Sequence, residues 1–265
     1  MTEQILHRLS PDYPWADRLL YFPSLDSTNR RLKQLGCQGA PHGTAMIAGH
    51  QTGGLGRMGR SFHSPEGMGI YLSILLRPDC APADLMHLTC AAAVAMCDAV
   101  EAAAGFRPGI KWTNDLVFEK RKLGGILTEL HLTPQGAVDF VIIGIGINCC
   151  QTSDDFPEEI RKIAASLNMV TGTKNDPARL AAAMLESLAA MDAQLLTGKA
   201  AMLERYRRDC ITIGQEISVV RSGDVRHGRA LAVDDQGALL VAYGDGHTEA
   251  VNSGEVSIRG MYGYL

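Results

Sequence analysis

The sequence lacks the features that several large classes of protein require. Its net charge of −4 and pI near 6.1 leave no basic excess for binding nucleic acid. Its seven cysteines are odd in number and form no Cys-x-x-Cys pair, so we expect reduced thiols in a cytoplasmic protein. No secretory leader is recognisable at the N-terminus, and the longest apolar stretch, 88–106, carries Asp98 and Glu101. We therefore expect no membrane span and no DNA partner.

Two common catalytic signatures are also missing. The eight histidines show no metal-ligand spacing, and no Gly-x-Ser-x-Gly motif occurs. We therefore expect neither a protein-bound metal nor a serine hydrolase of that type.

The sequence does contain a loop suited to wrapping an anion. Residues 51–60 read Gln-Thr-Gly-Gly-Leu-Gly-Arg-Met-Gly-Arg. Glycine lets the backbone approach a ligand closely, and arginine offers a planar cationic fork to phosphate and carboxylate oxygens. The stretch from Gly54 to Ser61 is one substitution from a P-loop, but a strand-like run at 70–76 follows where that motif needs a helix. A mobile surface turn with solvated arginines is the alternative.

Four further segments combine polar groups with turn or strand character. They are Asp26-Ser27-Thr28-Asn29, Lys111-Trp112-Thr113-Asn114-Asp115, Arg121-Lys122-Leu123-Gly124-Gly125-Ile126 and Gly144-Ile145-Gly146-Ile147-Asn148. The first can be a simple helix cap and the second a solvated hairpin turn. The third predicts a lysine in a turn that opens a strand. The fourth is typical of a strand kept free of bulky side chains where a ligand lies.

The pattern of elements changes near residue 210. Before it we predict strands at 19–25, 44–48, 70–76, 126–132 and 138–143, and helices at 30–35, 83–104, 157–167, 177–196 and 199–210. After it, four or five short strands alternate with tight turns such as Ser222-Gly223-Asp224, which indicates a small β-barrel. We predict an α+β chain with domains at 1–210 and 211–265.

In this order and at these separations, the five motifs resemble those of the biotin protein ligase family, nearly end to end. The resemblance implies a catalytic domain of mixed sheet and helices, akin to class II aminoacyl-tRNA synthetases, followed by an SH3-like barrel. It implies that biotin and ATP, with Mg²⁺, form biotinyl-5′-adenylate and pyrophosphate. The ε-amine of one lysine on a biotin carboxyl carrier domain then displaces AMP. Only about 26 residues precede the Ser27 motif, so we expect no DNA-binding helix-turn-helix, and a homodimer is compatible with the family.

The resemblance also implies roles for individual residues. The expected biotin site comprises Ser27, Thr28, Asn29, Gln51, Leu55, Gly56, Arg57, Lys122 and Gly125. The expected ATP and adenylate site comprises Arg57, Met58, Arg60, Lys111, Trp112, Asn114 and Asn148. Within these sets Lys122 would contact the biotin carboxylate, Arg57 would hold the adenylate, and Asp115 would orient or deprotonate the incoming lysine. Trp112 is a packing or lid candidate.

Two departures from the family pattern and two rival functions are recognisable. Leu55 stands where the family usually has an arginine, and Thr113 replaces a usual proline.

A lipoate or octanoate ligase or transferase would share this catalytic domain, but the complete Gly/Arg loop and the C-terminal barrel argue against it. A non-catalytic biotin-binding regulator is the other rival, and the retained Lys122, Arg57 and Asn114 argue against it.

Overall fold

The computed structural model describes residues 1–221, 224–252, 255–258 and 261. Its α-helices are α1 (Thr2–Leu6), α2 (Thr28–Cys37), α3 (Leu88–Ala104), α4 (Glu158–Arg161), α5 (Leu167–Thr171), α6 (Pro177–Gln194) and α7 (Lys199–Asp209). Its strands are β1 (Leu19–Phe22), β2 (Thr44–Ala48), β3 (Gly69–Leu76), β4 (Gly109–Lys111), β5 (Asp115–Phe118), β6 (Arg121–Leu132), β7 (Val138–Asn148), β8 (Glu216–Arg221), β9 (Asp224–Val233), β10 (Leu239–Tyr243), β11 (Thr248–Val251) and β12 (Glu255–Ile258). Short 3₁₀ turns occupy Ala16–Arg18, Arg57–Gly59, Pro82–Leu85 and Ser153–Asp155.

The sheet of the first domain is mixed, as predicted. Its seven strands lie in the order β1-β2-β3-β7-β6-β5-β4, with β1 and β2 parallel and every other pair antiparallel. Helix α2 packs on β3 and β7 over a small core that includes Leu32 and Phe140. Helices α3 and α6 pack on each other and join the main core. The sheet therefore has helices on both faces, and its central strands are buried.

Helix α3 is a core helix. The stretch Pro82–Ala104 is long and apolar enough to cross a membrane, but 72% of its most apolar part is buried inside the protein. The helix is apolar because most of its residues are buried, and many of these are alanines, whose small side chains let α3 pack closely against α6.

The structure corrects three predicted elements. The helix predicted at 157–167 ends after the single turn of α4. The chain beyond it pairs with Lys122 instead: Lys122 N donates to Ile163 O, and Ala165 N donates to Lys122 O. The helix predicted at 83–104 is split into a 3₁₀ turn and α3. Lys122 lies inside strand β6, and the turn before it is formed by Glu119 and Lys120, whose φ angles are 45° and 67°.

The second domain is the predicted small β-domain. Its strands form a five-stranded antiparallel sheet in the order β11-β10-β9-β8-β12. The predicted turn at 222–224 includes Ser222 and Gly223, which lie outside the described residues. We propose the boundary at residue 210, because α7 ends at Asp209 and the second sheet begins at Glu216.

The two domains meet at segment 111–115. The indole of Trp112, which is 4% exposed, donates to Gly237 O at 2.9 Å, and Trp112 N donates to Thr212 Oγ1 at 2.9 Å. Tyr206 Oη, from α7, donates to Thr113 O at 3.0 Å. The peptide bond between Trp112 and Thr113 is cis. The second domain thus holds this segment directly.

Acid should weaken an ion pair at the end of α7. Arg107 donates two hydrogen bonds, of 2.9 and 2.6 Å, to Asp209 Oδ2, and it also pairs with Asp98 on α3. Burial raises the pKa of the Asp209 carboxyl, but the hydrogen bonds from Arg107 and Arg208 outweigh it and hold that pKa below its usual 3.8. The contribution to stability is therefore present above the unfolded-state pKa and is lost as pH falls through the folded-state pKa.

The comparison of wild type with Asp209→Asn tests this ion pair. We expect the variant to be less stable than wild type by about 1–3 kcal/mol at pH 7, and the difference to shrink below about pH 4. Urea unfolding between pH 3 and pH 8 measures it. A stability difference that does not change across this range would contradict the prediction.

Candidate active site

A hydrogen-bond network forms the floor of the first cavity. Ser27 caps α2, and Thr28 donates through both its N–H and its hydroxyl to Gln51 Oε1, at 2.9 and 3.1 Å. Ser73 Oγ, fully buried in β3, lies 2.7 Å from Thr28 Oγ1 and 2.6 Å from Asn29 Oδ1. Because these polar groups hold one another, the protein itself fixes their positions in the floor of the cavity.

We call this first cavity the inner pocket. It is a cleft of about 480 Å³, lined by Ser27, Thr28, Asn29, Gln51, Leu55, Gly56, Arg57, Phe62, Asn114, Lys122, Gly125, Ile126, Leu127, Gly144, Ile145 and Gly146. This lining combines the polar floor, the cations Arg57 and Lys122, and apolar side chains such as Leu55 and Ile126. Such a lining suits a ligand with a small polar head, an aliphatic middle and an anionic end.

The two glycines of β7 make room for neighbouring side chains. A Cβ at Gly144 would lie 1.9 Å from Asn29 Oδ1, and one at Gly146 would lie 2.4 Å from a ring carbon of Phe62. The sequence predicted a strand cleared for a ligand. The structure shows that it is cleared first for Asn29 and Phe62, which themselves line the inner pocket.

Gly144→Ala should therefore damage this pocket. The added methyl must displace Asn29, which costs about 1–3 kcal/mol of stability and moves an inner-pocket wall. We expect the affinity for biotin, the ligand that the resemblance implies for these residues, to fall at least about tenfold when measured by titration calorimetry. Gly244→Ala is the matched control, because nothing lies within 4 Å of the Cβ it would add. Unchanged affinity in Gly144→Ala would show that the Asn29 position does not matter for binding.

Arg57 ties the Gly/Arg loop to segment 111–115. Its Nη1 donates to Asn114 Oδ1 at 2.9 Å and to Thr113 Oγ1 at 3.2 Å. Asn114 is fixed in turn, since its Nδ2 donates to Ile126 O at 3.0 Å. The loop itself closes through Gly56 N donating to Arg60 O at 2.7 Å. One guanidinium thus bridges the loop and the central sheet over the inner pocket.

Lys122 and Asp115 form the charged centre of the site. Lys122 Nζ lies 2.7 Å from Asp115 Oδ1, and the two side chains are 35% and 17% exposed. The Lys122 backbone is held between β5 and residues 163–165. A fixed backbone and a long side chain place one ammonium group at a defined point that an anionic ligand can still reach.

A second cavity adjoins this ammonium group, and we call it the cationic cavity. It is lined by Arg60, Ser61, Phe62, His63, Lys111, Asp115, Lys122, Asn148, Phe156, Ile160, Ile163 and Ala164. Three cations face a single carboxylate there, beside an apolar wall. Cations suit a polyphosphate, and the apolar wall suits a flat heterocycle. Phe62 and Lys122 line both cavities, so the two adjoin at these side chains.

Asn148 is held firmly at the edge of the cationic cavity. Its Nδ2 donates to Ala165 O at 3.0 Å, and its Oδ1 accepts from Gln151 Nε2 at 3.2 Å. The nitrogen and the oxygen of this side-chain amide are therefore both bonded to protein groups. The nitrogen keeps one further N–H and the oxygen one further lone pair.

Most of the predicted site residues come together, and two do not. All nine residues of the expected biotin set line the inner pocket, and Arg60, Lys111, Asp115 and Asn148 line the cationic cavity. The side chain of Met58 is 66% exposed, and Met58 lines neither cavity. Trp112 lies in the domain junction instead of a cavity, because its indole is bound to Gly237. Trp112 therefore fits the packing alternative.

Sequence reasoning missed three contributors to the site. Phe62 joins the two cavities, Ser73 orients Thr28 and Asn29, and Glu129 accepts from Asn29 Nδ2 at 2.7 Å. Ser73 carried a signal, because it is the one polar residue in the apolar run 70–76. Phe62 and Glu129 carried none that separates them from ordinary residues of a loop and a strand.

The cysteines form no disulfide bond among the described residues. All seven lie among the described residues and all are free thiols. Burial raises the pKa of Cys90 and of Cys97 to about 12, so neither thiol is ionised at neutral pH. Neither of these buried thiols is a nucleophile of the site.

Family models identify the class of protein to which this mixed sheet and small β-domain belong. Residues 21–148 match the biotin/lipoate A/B protein ligase family, and residues 212–259 match the biotin protein ligase C-terminal domain. These two matches cover most of both predicted domains.

Similar proteins narrow the class to one family. The chain is 38% identical over 232 residues to the bifunctional ligase/repressor BirA of Bacillus spizizenii, covering 87% of this chain and 71% of that protein. It is 34% identical to the biotin–[acetyl-CoA-carboxylase] ligase of Mycobacterium tuberculosis, covering 87% and 85% of the two chains. The solved biotin protein ligase from Aquifex aeolicus in complex with biotin and ATP superposes with a TM-score of 0.77 at 28% identity, covering 91% and 98%. This chain belongs to the biotin protein ligase family.

Proposed function

We propose that this protein is an ATP-dependent biotin protein ligase, which activates biotin as its adenylate and transfers it to a lysine of a biotin carboxyl carrier domain. One observation carries the proposal: the inner pocket and the cationic cavity meet at Lys122. A carboxylate at the end of the first and an α-phosphate at the end of the second would share one ammonium group.

The inner pocket fits biotin from head to tail. The ureido ring would exchange hydrogen bonds with Ser27, Thr28 and Gln51, and the aliphatic chain would pass Ile126 and Leu127. Its carboxylate would then reach Lys122. A buried carboxylate needs such a cation, because burying an unpaired charge is costly.

In the first half-reaction, a biotin carboxylate oxygen attacks the α-phosphorus of ATP, and the bond to the β-phosphate breaks to release pyrophosphate. Lys122 balances charge on the carboxylate and the α-phosphate. Arg60 and Lys111 would face the remaining phosphates. Positioning and electrostatic stabilisation supply most of the rate enhancement in such transfers.

Asp115 acts mainly by placing Lys122. Its carboxylate is 2.7 Å from the ammonium group and lines the cationic cavity only. The predicted role of orienting or deprotonating the acceptor lysine stays a proposal. Arg57 would hold the adenylate through the loop that it ties to Asn114.

Mg²⁺ would enter with ATP as part of the substrate. Mg²⁺ keeps several waters and takes phosphate oxygens as ligands, with few protein carboxylates. Within the described residues no cluster of three His, Cys, Asp or Glu side chains is present, and Ser61, Asp115 and Asn148 are the oxygen-bearing side chains that line the cationic cavity. We also propose that the protein acts in the cytoplasm and that it forms a homodimer. Light scattering would give the molar mass in solution and so test the homodimer.

Biotin-dependent ATP–pyrophosphate exchange tests this function. We expect exchange with biotin and none with lipoate or octanoate. Exchange with lipoate alone would move the chain to the lipoate branch of the class. Tight biotin binding without exchange would indicate a binding protein without catalysis.

A further inference from the structure

Glu129 is a carboxylate joined to the floor of the inner pocket from outside that pocket. It lies in β6, and its Oε2 accepts from Asn29 Nδ2 at 2.7 Å. Glu129 is half-buried and lines neither the inner pocket nor the cationic cavity. Asn29 does line the inner pocket and is 4% exposed. A ligand in that pocket is therefore influenced by this carboxylate through Asn29.

The carboxylate fixes which way the Asn29 amide points. A carboxylate only accepts hydrogen bonds, whereas an amide has a donor end and an acceptor end. Nδ2 of Asn29 must therefore face Glu129, because the reversed amide would set its oxygen against the carboxylate. The oxygen Oδ1 is then turned to Ser73 Oγ, 2.6 Å away. Gly144 leaves the space for this oxygen, since a Cβ there would lie 1.9 Å from it.

The Ser73 hydroxyl carries this direction onward to Thr28. Ser73 Oγ lies 2.6 Å from Asn29 Oδ1 and 2.7 Å from Thr28 Oγ1, but it has a single proton to donate. Because Asn29 presents an oxygen, Ser73 gives its proton to Asn29, and the proton between Ser73 and Thr28 must then come from Thr28. The other acceptor of the Thr28 hydroxyl is Gln51 Oε1, at 3.1 Å, and either acceptor keeps that proton inside the protein. Thr28 Oγ1 therefore meets a ligand as an acceptor.

We propose that Glu129 is a positioning residue, which sets the inner pocket to accept a ring N–H and so selects a cyclic urea. This inference rests on the proposed function and deepens it, because it assigns the selectivity for the head of the ligand. A ureido ring presents N–H donors beside its carbonyl oxygen. The dithiolane ring of lipoate and the hydrocarbon chain of octanoate present no N–H, so either would leave the buried Thr28 oxygen unpaired. An unpaired buried polar group is costly, and that cost makes such a site selective.

Without the carboxylate, the direction of these hydrogen bonds can reverse. A glutamine at position 129 has both a donor and an acceptor, so Asn29 is free to turn its oxygen toward position 129 and its Nδ2 toward Ser73. Ser73 then donates to Thr28, and the Thr28 proton is free to point at the ligand. There it meets a ring N–H, and two donors form no hydrogen bond. The pocket keeps its shape but loses affinity for the ring.

Glu129→Gln tests the proposal, because it keeps the size of the side chain and changes its charge and its donors. Titration calorimetry measures biotin binding, and pyrophosphate exchange at varied biotin and ATP gives kcat and both KM values. We expect the Kd and the KM for biotin to rise at least about tenfold, while kcat and the KM for ATP stay within about threefold of wild type. Glu216→Gln is the matched control, because Glu216 is exposed in β8 and lines neither cavity. It should match wild type.

The double variant Asn29→Asp/Glu129→Gln separates hydrogen-bond direction from structure. It moves the carboxylate to position 29, where it accepts both from Ser73 and from the amide at position 129, so the direction is restored. We expect the double variant to bind biotin more tightly than Glu129→Gln, and Asn29→Asp alone, which sets two carboxylates against each other, to bind more weakly than the double variant.

Unchanged biotin affinity in Glu129→Gln would overturn the proposal, as would a folded double variant that binds no better than Glu129→Gln. A rise in the KM for ATP equal to that for biotin would also overturn it, because a general loss of structure would affect both substrates. If the double variant does not fold, the calorimetry of Glu129→Gln decides alone. Failure of the proposed function is distinct, since wild-type protein would then show no biotin-dependent exchange.

Discussion

Lys122→Ala is expected to abolish most adenylate formation while the protein stays folded. Lys122 is the cation at which the inner pocket and the cationic cavity meet, so its loss leaves two substrate anions without compensation at the reacting atoms. Removal of one such electrostatic contact lowers kcat by about 10²–10³-fold. Pyrophosphate exchange at saturating biotin and ATP measures the effect, and thermal unfolding measures the fold.

Two further variants separate charge from structure. Lys120→Ala removes an exposed lysine from the adjoining turn and should leave exchange unchanged. Lys122→Ala also leaves Asp115 unpaired, so Lys122→Ala/Asp115→Asn removes that uncompensated carboxylate. We expect the double variant to regain stability without regaining exchange. Exchange near the wild-type rate in Lys122→Ala would remove this lysine from the mechanism.

Local signals in the sequence were enough to predict most of the fold. Ser27 caps α2, as its segment predicted, and α6 begins at Pro177, the residue at which its helix was predicted to begin. Short apolar runs bounded by turn residues predicted β2 and β3 nearly to their bounds. These features depend on neighbouring residues, which is why sequence alone reveals them.

The features that the sequence did not reveal depend on distant residues. The helix expected at 157–167 gives way after α4 because Lys122, about forty residues earlier, takes the backbone of residues 163–165 as a partner. Trp112 was assigned to the nucleotide because of its motif, yet its partner Gly237 is 125 positions away. Neither pairing leaves a local pattern.

The candidate site was predicted better than its supporting contacts. The motif residues that touch the cavities are chemically distinctive, so Arg57, Lys122 and Gln51 could be recognised. Ser73 and Glu129 orient Asn29 and Thr28 from strands whose other residues are ordinary. Support of this kind depends on strand register, which the sequence leaves open until the sheet order is known.

Arg57→Gly should release the adenylate early and so biotinylate lysines indiscriminately. The guanidinium joins the loop to Asn114 and Thr113, and the variant removes both hydrogen bonds. Glycine also increases the freedom of the open loop, which makes closure less favourable. We expect the adenylate to dissociate about 10–100-fold faster, since loss of one well-formed charge-assisted hydrogen bond costs about 1.5–3 kcal/mol and the longer bond to Thr113 adds little. Labelling of serum albumin added as a bystander protein measures the release.

Met58→Gly distinguishes the guanidinium from loop flexibility. Met58 is the next residue, has a φ of 56° that glycine adopts freely, and has a side chain that is 66% exposed. The Met58→Gly variant loosens the same loop and keeps the Arg57 guanidinium. We expect this variant to label the carrier lysine alone. Bystander labelling by Met58→Gly would assign retention to loop order or to Met58 itself, and strict carrier labelling by Arg57→Gly would show that neither hydrogen bond retains the adenylate. The contrast between two adjacent residues is what ties retention to one charged group, because both variants change the same stretch of backbone.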